Sequence, residues 1–343
     1  MTIGLDIGSH LLRSLRIAAD STLRLRKCRA HYAVLPDSLA HRQLLEQAGV
    51  LFAVCDESLL LLGDAAHEYA SLFHVLPTPL LPAGHVPKGD PLTRQTLAAL
   101  IDGLLPEPAR REDVCCFTSS FVKGEERADR EDEEFFARLV RLKGYTPTAI
   151  SQSLALVLAE LADEGFSGIG AVFGASCSQA VLAHHAIEVA RFTLPRGSQW
   201  IAEELERRGL APANAPEPRP SPDGQWHHRF HGFLGDPRSA WEAAITELVT
   251  EMTQLLLVGL AGQLQRMSAD PFMAQPLPLV CSGGLSALRG FRALLINSLR
   301  RLDLPIPIGD VRCARDPQSS LCRGCLIWAE LEVEGESPGM QAA

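Results

Sequence analysis

The spacing of apolar and polar positions changes several times along this chain, and each change predicts an element. Residues 2–6 form a short apolar run, and apolar positions continue through 11–18 and 22–28 between Arg13, Arg16, Arg24 and Arg26. These runs predict three antiparallel strands, with Ala19-Asp20-Ser21 as the polar turn between the second and third. Residues 36–90 mix strand and helix signals among many prolines and predict an insertion. After Asp90-Pro91 the period becomes helical, with Leu92, Leu97, Leu100, Ile101, Leu104 and Leu105 recurring until Pro106 stops the pattern. Residues 114–121 then predict a strand, the charged run 124–134 a solvated loop with a first helical turn, and 135–143 a helix ahead of Gly144-Tyr145. Strands follow near 169–173, 179–183 and 187–194, with His184-His185 on the turn between the last two. That order repeats the amino-terminal hairpins and points to an internal duplication. A loop with five prolines at 211–224 precedes a long helix, in which Ile245, Leu248, Val249, Met252, Leu256 and Leu260 line one face as core.

A chain of 343 residues exceeds a usual single core, so two lobes of about 150 residues each are expected. With 46% hydrophobic residues there is ample material for buried sheets. The net charge of −9 excludes general nucleic-acid affinity, which needs a positive field. The start lacks a basic segment and cleavage site, and the longest apolar run, 255–261, falls well short of the roughly 20 residues of a bilayer span. A soluble, cytoplasmic protein without a membrane span is the expectation. Nine cysteines, several inside apolar strands, suit small buried side chains in a reducing compartment. Cys322 and Cys325 have the spacing of a redox or half-metal motif, but they lie in a predicted helix without a second pair and read as packing, as do Cys115 and Cys116. The imidazoles of His227, His228 and His231 read as part of an ordinary loop or hairpin.

Candidate chemistry begins at Gly4-Leu5-Asp6-Ile7-Gly8-Ser9-His10, where a strand ends on an acid and a glycine permits a tight turn with open amide N–H groups. Such a hairpin can cradle phosphate, with Asp6 facing a hydrated metal ion. A related hairpin spans Gly170 to Val181, with Gly174-Ala175-Ser176 at its turn. Further on, Val280-Cys281-Ser282-Gly283-Gly284-Leu285 is an apolar strand ending in paired glycines, and 316–329 predicts a closing helix. In this order, together with 150–160 and Leu62-Gly63-Asp64-Ala65-Ala66, the motifs resemble the actin, 70-kDa heat-shock chaperone and hexokinase superfamily, within it the bacterial MreB-like and chaperone-like branch.

The resemblance implies an α/β fold of two duplicated ribonuclease-H-like lobes flanking a nucleotide cleft. It implies lobe I from 1–147 plus 318–333 with an insertion at about 36–90, lobe II from 148–317 with a loop at about 211–237, and a tail at 334–343. ATP would lie between Gly8, Ser9 and His10 on one side and Gly174, Ala175 and Ser176 on the other. Gly283 and Gly284 would lie near the adenosine, Mg²⁺ would be held by Asp6 through water, and Gln152 would orient the attacking water. The chain departs from the family at Val172, where a second metal-facing acid is usual, at Ser176, and at Leu285, which is expected to crowd the nucleoside. An amide at Gln152 cannot serve as a base, and the lysine of the chaperones' adenine-contacting helix is missing from 238–244. At most a slow ATPase is expected. Two functions fit: an ATP-dependent switch or filament component that associates with itself head-to-tail or with another intracellular protein, and a non-catalytic scaffold of the same fold.

Overall fold

The computed structural model describes residues 2–110, 113–119, 126–210, 232–266, 275–302 and 304–335. The chain opens with β1 (Ile3–Ile7), β2 (Leu11–Ile17) and β3 (Leu23–Arg29), an antiparallel meander whose first strand is buried throughout. The predicted turn at Ala19-Asp20-Ser21 is present: Thr22 N–H donates to Asp20 Oδ1 at 3.1 Å, and Ser21 turns through φ 60°.

Next come β4 (His31–Pro36), α1 (Leu39–Gln47), β5 (Phe52–Cys55), β6 (Ser58–Leu62), α2 (Asp64–Glu68), α3 (Ala70–Phe73) and β7 (Thr78–Pro79). They form a separate antiparallel sheet of order β5-β6-β4-β7 around its own small core, including Leu35, Leu45, Leu59 and Leu61. This sheet begins at His31, earlier than the expected residue 36, because His31 and Tyr32 already pair with β7.

The start of α4 (Pro91–Leu104) agrees with the sequence: Asp90 accepts the Thr93 N–H at 3.1 Å and Pro91 sits in the first turn. β8 (Val114–Ser119) lies parallel to β1, α5 (Glu126–Leu142) follows, and β9 (Thr146–Ser151) completes the sheet β3-β2-β1-β8-β9. Two of these elements correct the sequence expectation. The charged run is helical from Glu126, since Glu, Arg and Ala favour helix and Phe136, Ala137 and Val140 bury its inner face. Thr148 falls inside β9, so the first sheet continues to Ser151 rather than ending near residue 147.

The second half repeats the first strand for strand. After α6 (Gln152–Glu160) come β10 (Gly168–Phe173), β11 (Ser178–His184), β12 (Ile187–Leu194), α7 (Ser198–Arg207), α8 (Ala240–Leu264), β13 (Leu277–Ser282), α9 (Phe291–Arg301) and β14 (Ile308–Cys313). Their sheet has the order β12-β11-β10-β13-β14, again a meander followed by two parallel strands. His185 and Ala186 make the β11–β12 turn with positive φ. The core of this half gathers Phe173, Ile245, Leu256, Leu285 and Phe291 around α8.

By length and composition α8 is apolar enough to cross a bilayer, with a mean hydropathy of 1.4 over its best window, although the run at 255–261 is short. The hydroxyls of Thr246, Thr250 and Thr253 turn back onto carbonyls one turn earlier, at 2.7–2.9 Å, which hides their polarity. Half of that window is buried inside the fold, as befits a core helix.

Finally α10 (Ser320–Gly335) returns to pack across β1, β2 and β8. A Cβ at Gly4 would run into the Cys322 carbonyl of α10, and one at Gly170 into the Ser153 carbonyl of α6. Each sheet thus receives a helix flush on the first glycine of its opening strand, and the two helices touch where Gly324 meets the Ala155 carbonyl. The cluster at 226–231, most of the proline-rich loop, strand residues 120–121 and the tail from 336 lie outside the described residues.

Candidate functional site

The two opening hairpins are the same device. Gly8 N–H donates to the Leu11 carbonyl at 3.1 Å, and Gly174 N–H donates to the Cys177 carbonyl at 3.0 Å. A Cβ on either glycine would stand within 2.8 Å of that same carbonyl, so both turns require glycine. The hairpin tips face each other and meet where Ser9 Oγ donates to Ser176 Oγ at 3.1 Å. Ser198 and Gln199, in the first turn of α7, donate their N–H groups to the carbonyls of Gly174 and Ala175 and hold the second tip in place.

Between the tips lies a pocket of about 240 Å³. Asp6, Gly8, Ser9 and His10 line it from the first hairpin, Gly174, Ala175 and Ser176 from the second, Gln152 from the start of α6, and Gly283 and Gly284 from the end of β13. The structure therefore brings every candidate site residue of the sequence together in one place.

Its electrostatics centre on Asp6, which is 1% exposed. Asp6 Oδ2 is 2.7 Å from Arg13 Nη1, and Oδ1 accepts from Thr118 Oγ1 at 2.9 Å. Arg13 also lines the pocket, and its Nε is buried with no hydrogen-bond partner among the described residues. Sequence reasoning missed Arg13. Its signal was the hairpin register, which places Asp6 and Arg13 directly opposite each other. At the same register in the second hairpin stand Val172 and Gln179. Gln179 turns away to accept the Ser153 N–H at 3.0 Å and to donate to Thr193 Oγ1 at 3.2 Å. One hairpin carries an ion pair, and the other carries an apolar side chain and an occupied amide.

Leu285 corrects an expectation. It is fully buried in the second core, because the turn after Gly283 (φ 100°) rotates it away from the pocket. It does not crowd the site. Gly283 itself is irreplaceable, since a Cβ would collide with the Phe173 carbonyl.

Behind the first tip, His10 meets His31 edge-on at 5.1 Å between ring centroids, and His31 meets His67 at 4.6 Å. Burial, more than the nearby Arg29 cation, brings His10 and His67 down to about 4; burial and then the neighbouring imidazoles bring His31 down to about 3. All three are neutral at pH 7.

The pocket fits an anion. The Arg13 guanidinium in the lining, the two glycine turns and the two facing hydroxyls are the chemistry a phosphate chain requires. It fits a metal less well, because among the described residues Asp6 is the sole carboxylate in the pocket lining and its charge is already met by Arg13. Among the described residues no group of three or more His, Cys, Asp or Glu is placed to hold a metal ion.

Residues 1–329, which hold both hairpins and the pocket between them, match the Volactin family. The chain belongs to the Volactin family. No curated protein matches this Volactin sequence. Among solved structures, this chain is similar to the MamK double helical filament, with a TM-score of 0.64 and 16% identity over 96% of this chain and 98% of that one. It is also similar to MreB5 of Spiroplasma citri bound to ADP, with a TM-score of 0.65 and 11% identity over 98% of both chains. A non-polymerising MamK mutant bound to AMPPNP aligns over 96% of this chain and 98% of that one, with a TM-score of 0.57 and 17% identity. The chain has the fold of the actin-like proteins MamK and MreB5, as its motif order implied.

Proposed function

We propose that the chain is a cytoplasmic actin-like switch that binds ATP between its two hairpins, hydrolyses it slowly at most, and assembles head-to-tail with copies of itself. What supports this best is the pair of equivalent glycine turns facing each other across a pocket that Arg13 also lines. Gly8, Ser9 and Arg13 would take the phosphates on one side, Gly174, Ala175 and Ser176 on the other, and Gly283-Gly284 would leave room for the nucleoside. Gln152, at the start of α6, can orient a water but cannot remove its proton, which limits turnover. The lobes of this proposal are 1–151 with the returning α10, and 152–317.

Filament formation is supported by the likeness to the MamK double helical filament and would use a heterologous, non-closing contact. Isothermal titration with ATP, with and without Mg²⁺, tests the nucleotide. Electron microscopy with and without ATP tests assembly. No binding up to about millimolar ATP, the weak end of the usual scale, would leave the second function, a scaffold of the same fold. The feature that favours that second function is Asp6, whose charge is spent on Arg13 while Val172 replaces the other acid.

A further inference from the structure

Cys281 and Cys313 stand opposite each other on the parallel strands β13 and β14. The Cys281 thiol donates to Cys313 Sγ at 3.5 Å. Other cysteines are differently placed. Cys115, Cys116, Cys322 and Cys325 are buried in apolar packing that pushes their thiols up, and Cys28 is pushed up to about 12 by burial and by Asp64. Cys313 is only half-buried. The hydrogen bond from Cys281, helped by the Arg292 guanidinium, outweighs burial and brings Cys313 down to about 7. Arg292 is fixed there by donating Nε to the Val311 carbonyl at 2.6 Å. Its partner Cys281 is raised by the same hydrogen bond and by burial, and stays a thiol.

We propose that Cys313 and Cys281 form a peroxide-responsive dithiol that closes to a disulfide across β13–β14, behind the glycine wall of the pocket. In the first step the Cys313 thiolate attacks a peroxide oxygen: an S–O bond forms, the O–O bond breaks, and hydroxide leaves. Cys313 becomes a sulfenic acid and the peroxide is reduced by two electrons. In the second step the Cys281 sulfur attacks that sulfenic sulfur: an S–S bond forms, the S–O bond breaks, and the departing hydroxide takes the Cys281 proton as water. Two thiols and one hydrogen peroxide give one disulfide and two waters. The strands are already in the right register, because neighbouring strands lie about 4.7–4.9 Å apart, within the roughly 4.4–6.8 Å between Cα atoms that a disulfide spans. Closure shortens the sulfur–sulfur separation from 3.5 Å to about 2.05 Å. The pull acts one residue before Ser282 and Gly283, and on the Ala314 N–H that donates to the Cys281 carbonyl at 2.8 Å. The proposal stands whether or not the pocket holds ATP.

The test is peptide mapping by mass spectrometry of the full-length protein after stoichiometric hydrogen peroxide. The expected result is a linked pair of peptides containing residues 281 and 313, reopened by a dithiol reductant. Cys313 should lose its thiol about fivefold faster than Cys55, which is also half-buried. The rate should rise through about pH 7, below the range in which an ordinary thiol ionises. In Cys281→Ser, which keeps a hydrogen-bond donor and removes the attacking sulfur, a sulfenic acid trapped at Cys313 by dimedone is the expected product. Wild-type protein in which Cys313 reaches the sulfinic acid without linking to Cys281, or in which Cys55 oxidises as fast as Cys313, would overturn the proposal.

Discussion

A buried carboxylate such as Asp6 costs several kcal/mol unless its charge is met, and here Arg13 and Thr118 meet it on both oxygens. Arg13 therefore has two tasks, to balance Asp6 and to offer its remaining donors to the pocket. Arg13→Lys separates them, because it keeps the charge and loses the guanidinium fork. The expected outcome is ATP binding about tenfold weaker by titration calorimetry, with a melting temperature near that of the wild type. Unchanged affinity would remove Arg13 from the phosphate site. The histidine trio makes a second prediction. Its members are neutral in the folded chain, with values of about 3 to 4, whereas in the unfolded chain they protonate near 6.5. Unfolding below that pH takes up protons, so this stability is present above about pH 6.5 and is lost as the pH falls toward 4. Thermal melts across that range should decline, and the decline should be shallower in His31→Leu. The sequence showed Asp6 and both glycine turns because that chemistry is local to a few residues. Arg13 depended on strand register and the histidine trio on three separate elements, so neither could be read from spacing.

At the scale of elements, close helix packing makes certain glycines obligatory. α6 and α10 cross where Gly324 meets the Ala155 carbonyl, and an added methyl has no room there. Gly324→Ala is expected to cost about 1–3 kcal/mol, read as a lower urea midpoint. Gly103, inside α4, has open space around it, and Gly103→Ala should instead stabilise by about 0.5–1 kcal/mol. Equal shifts of one sign in both variants would refute the packing account. The opening meanders and α4 were legible because their periods are regular and their caps are local. α5 was hidden by its charged first turns, which look like a loop until Phe136 and Val140 find the sheet. Leu285 was misjudged because the direction of a side chain in a tight turn is set by backbone torsion, which a motif does not specify.

At the scale of the whole molecule, the duplication was readable as two segments with glycines four residues apart, Gly4 with Gly8 and Gly170 with Gly174. The first glycine of each pair admits a helix and the second makes a phosphate-type turn, so one spacing encodes both packing and site. If ATP bridges the two tips, amide hydrogen exchange should slow at both hairpins together. Slowing at one hairpin alone would contradict a shared ligand.

The exchange of helices between sheets has a mechanical consequence. α6 follows the first sheet in the chain but rests on the second, and α10 follows the second but rests on the first. Two such struts, pressed together at Gly324, act as the rivet of a pair of shears: the blades can swing but cannot slide. Spin labels at exposed Leu51 and Ile187, on opposite blades, should therefore record the largest change in separation when nucleotide is added, while any pair flanking the rivet stays at fixed range.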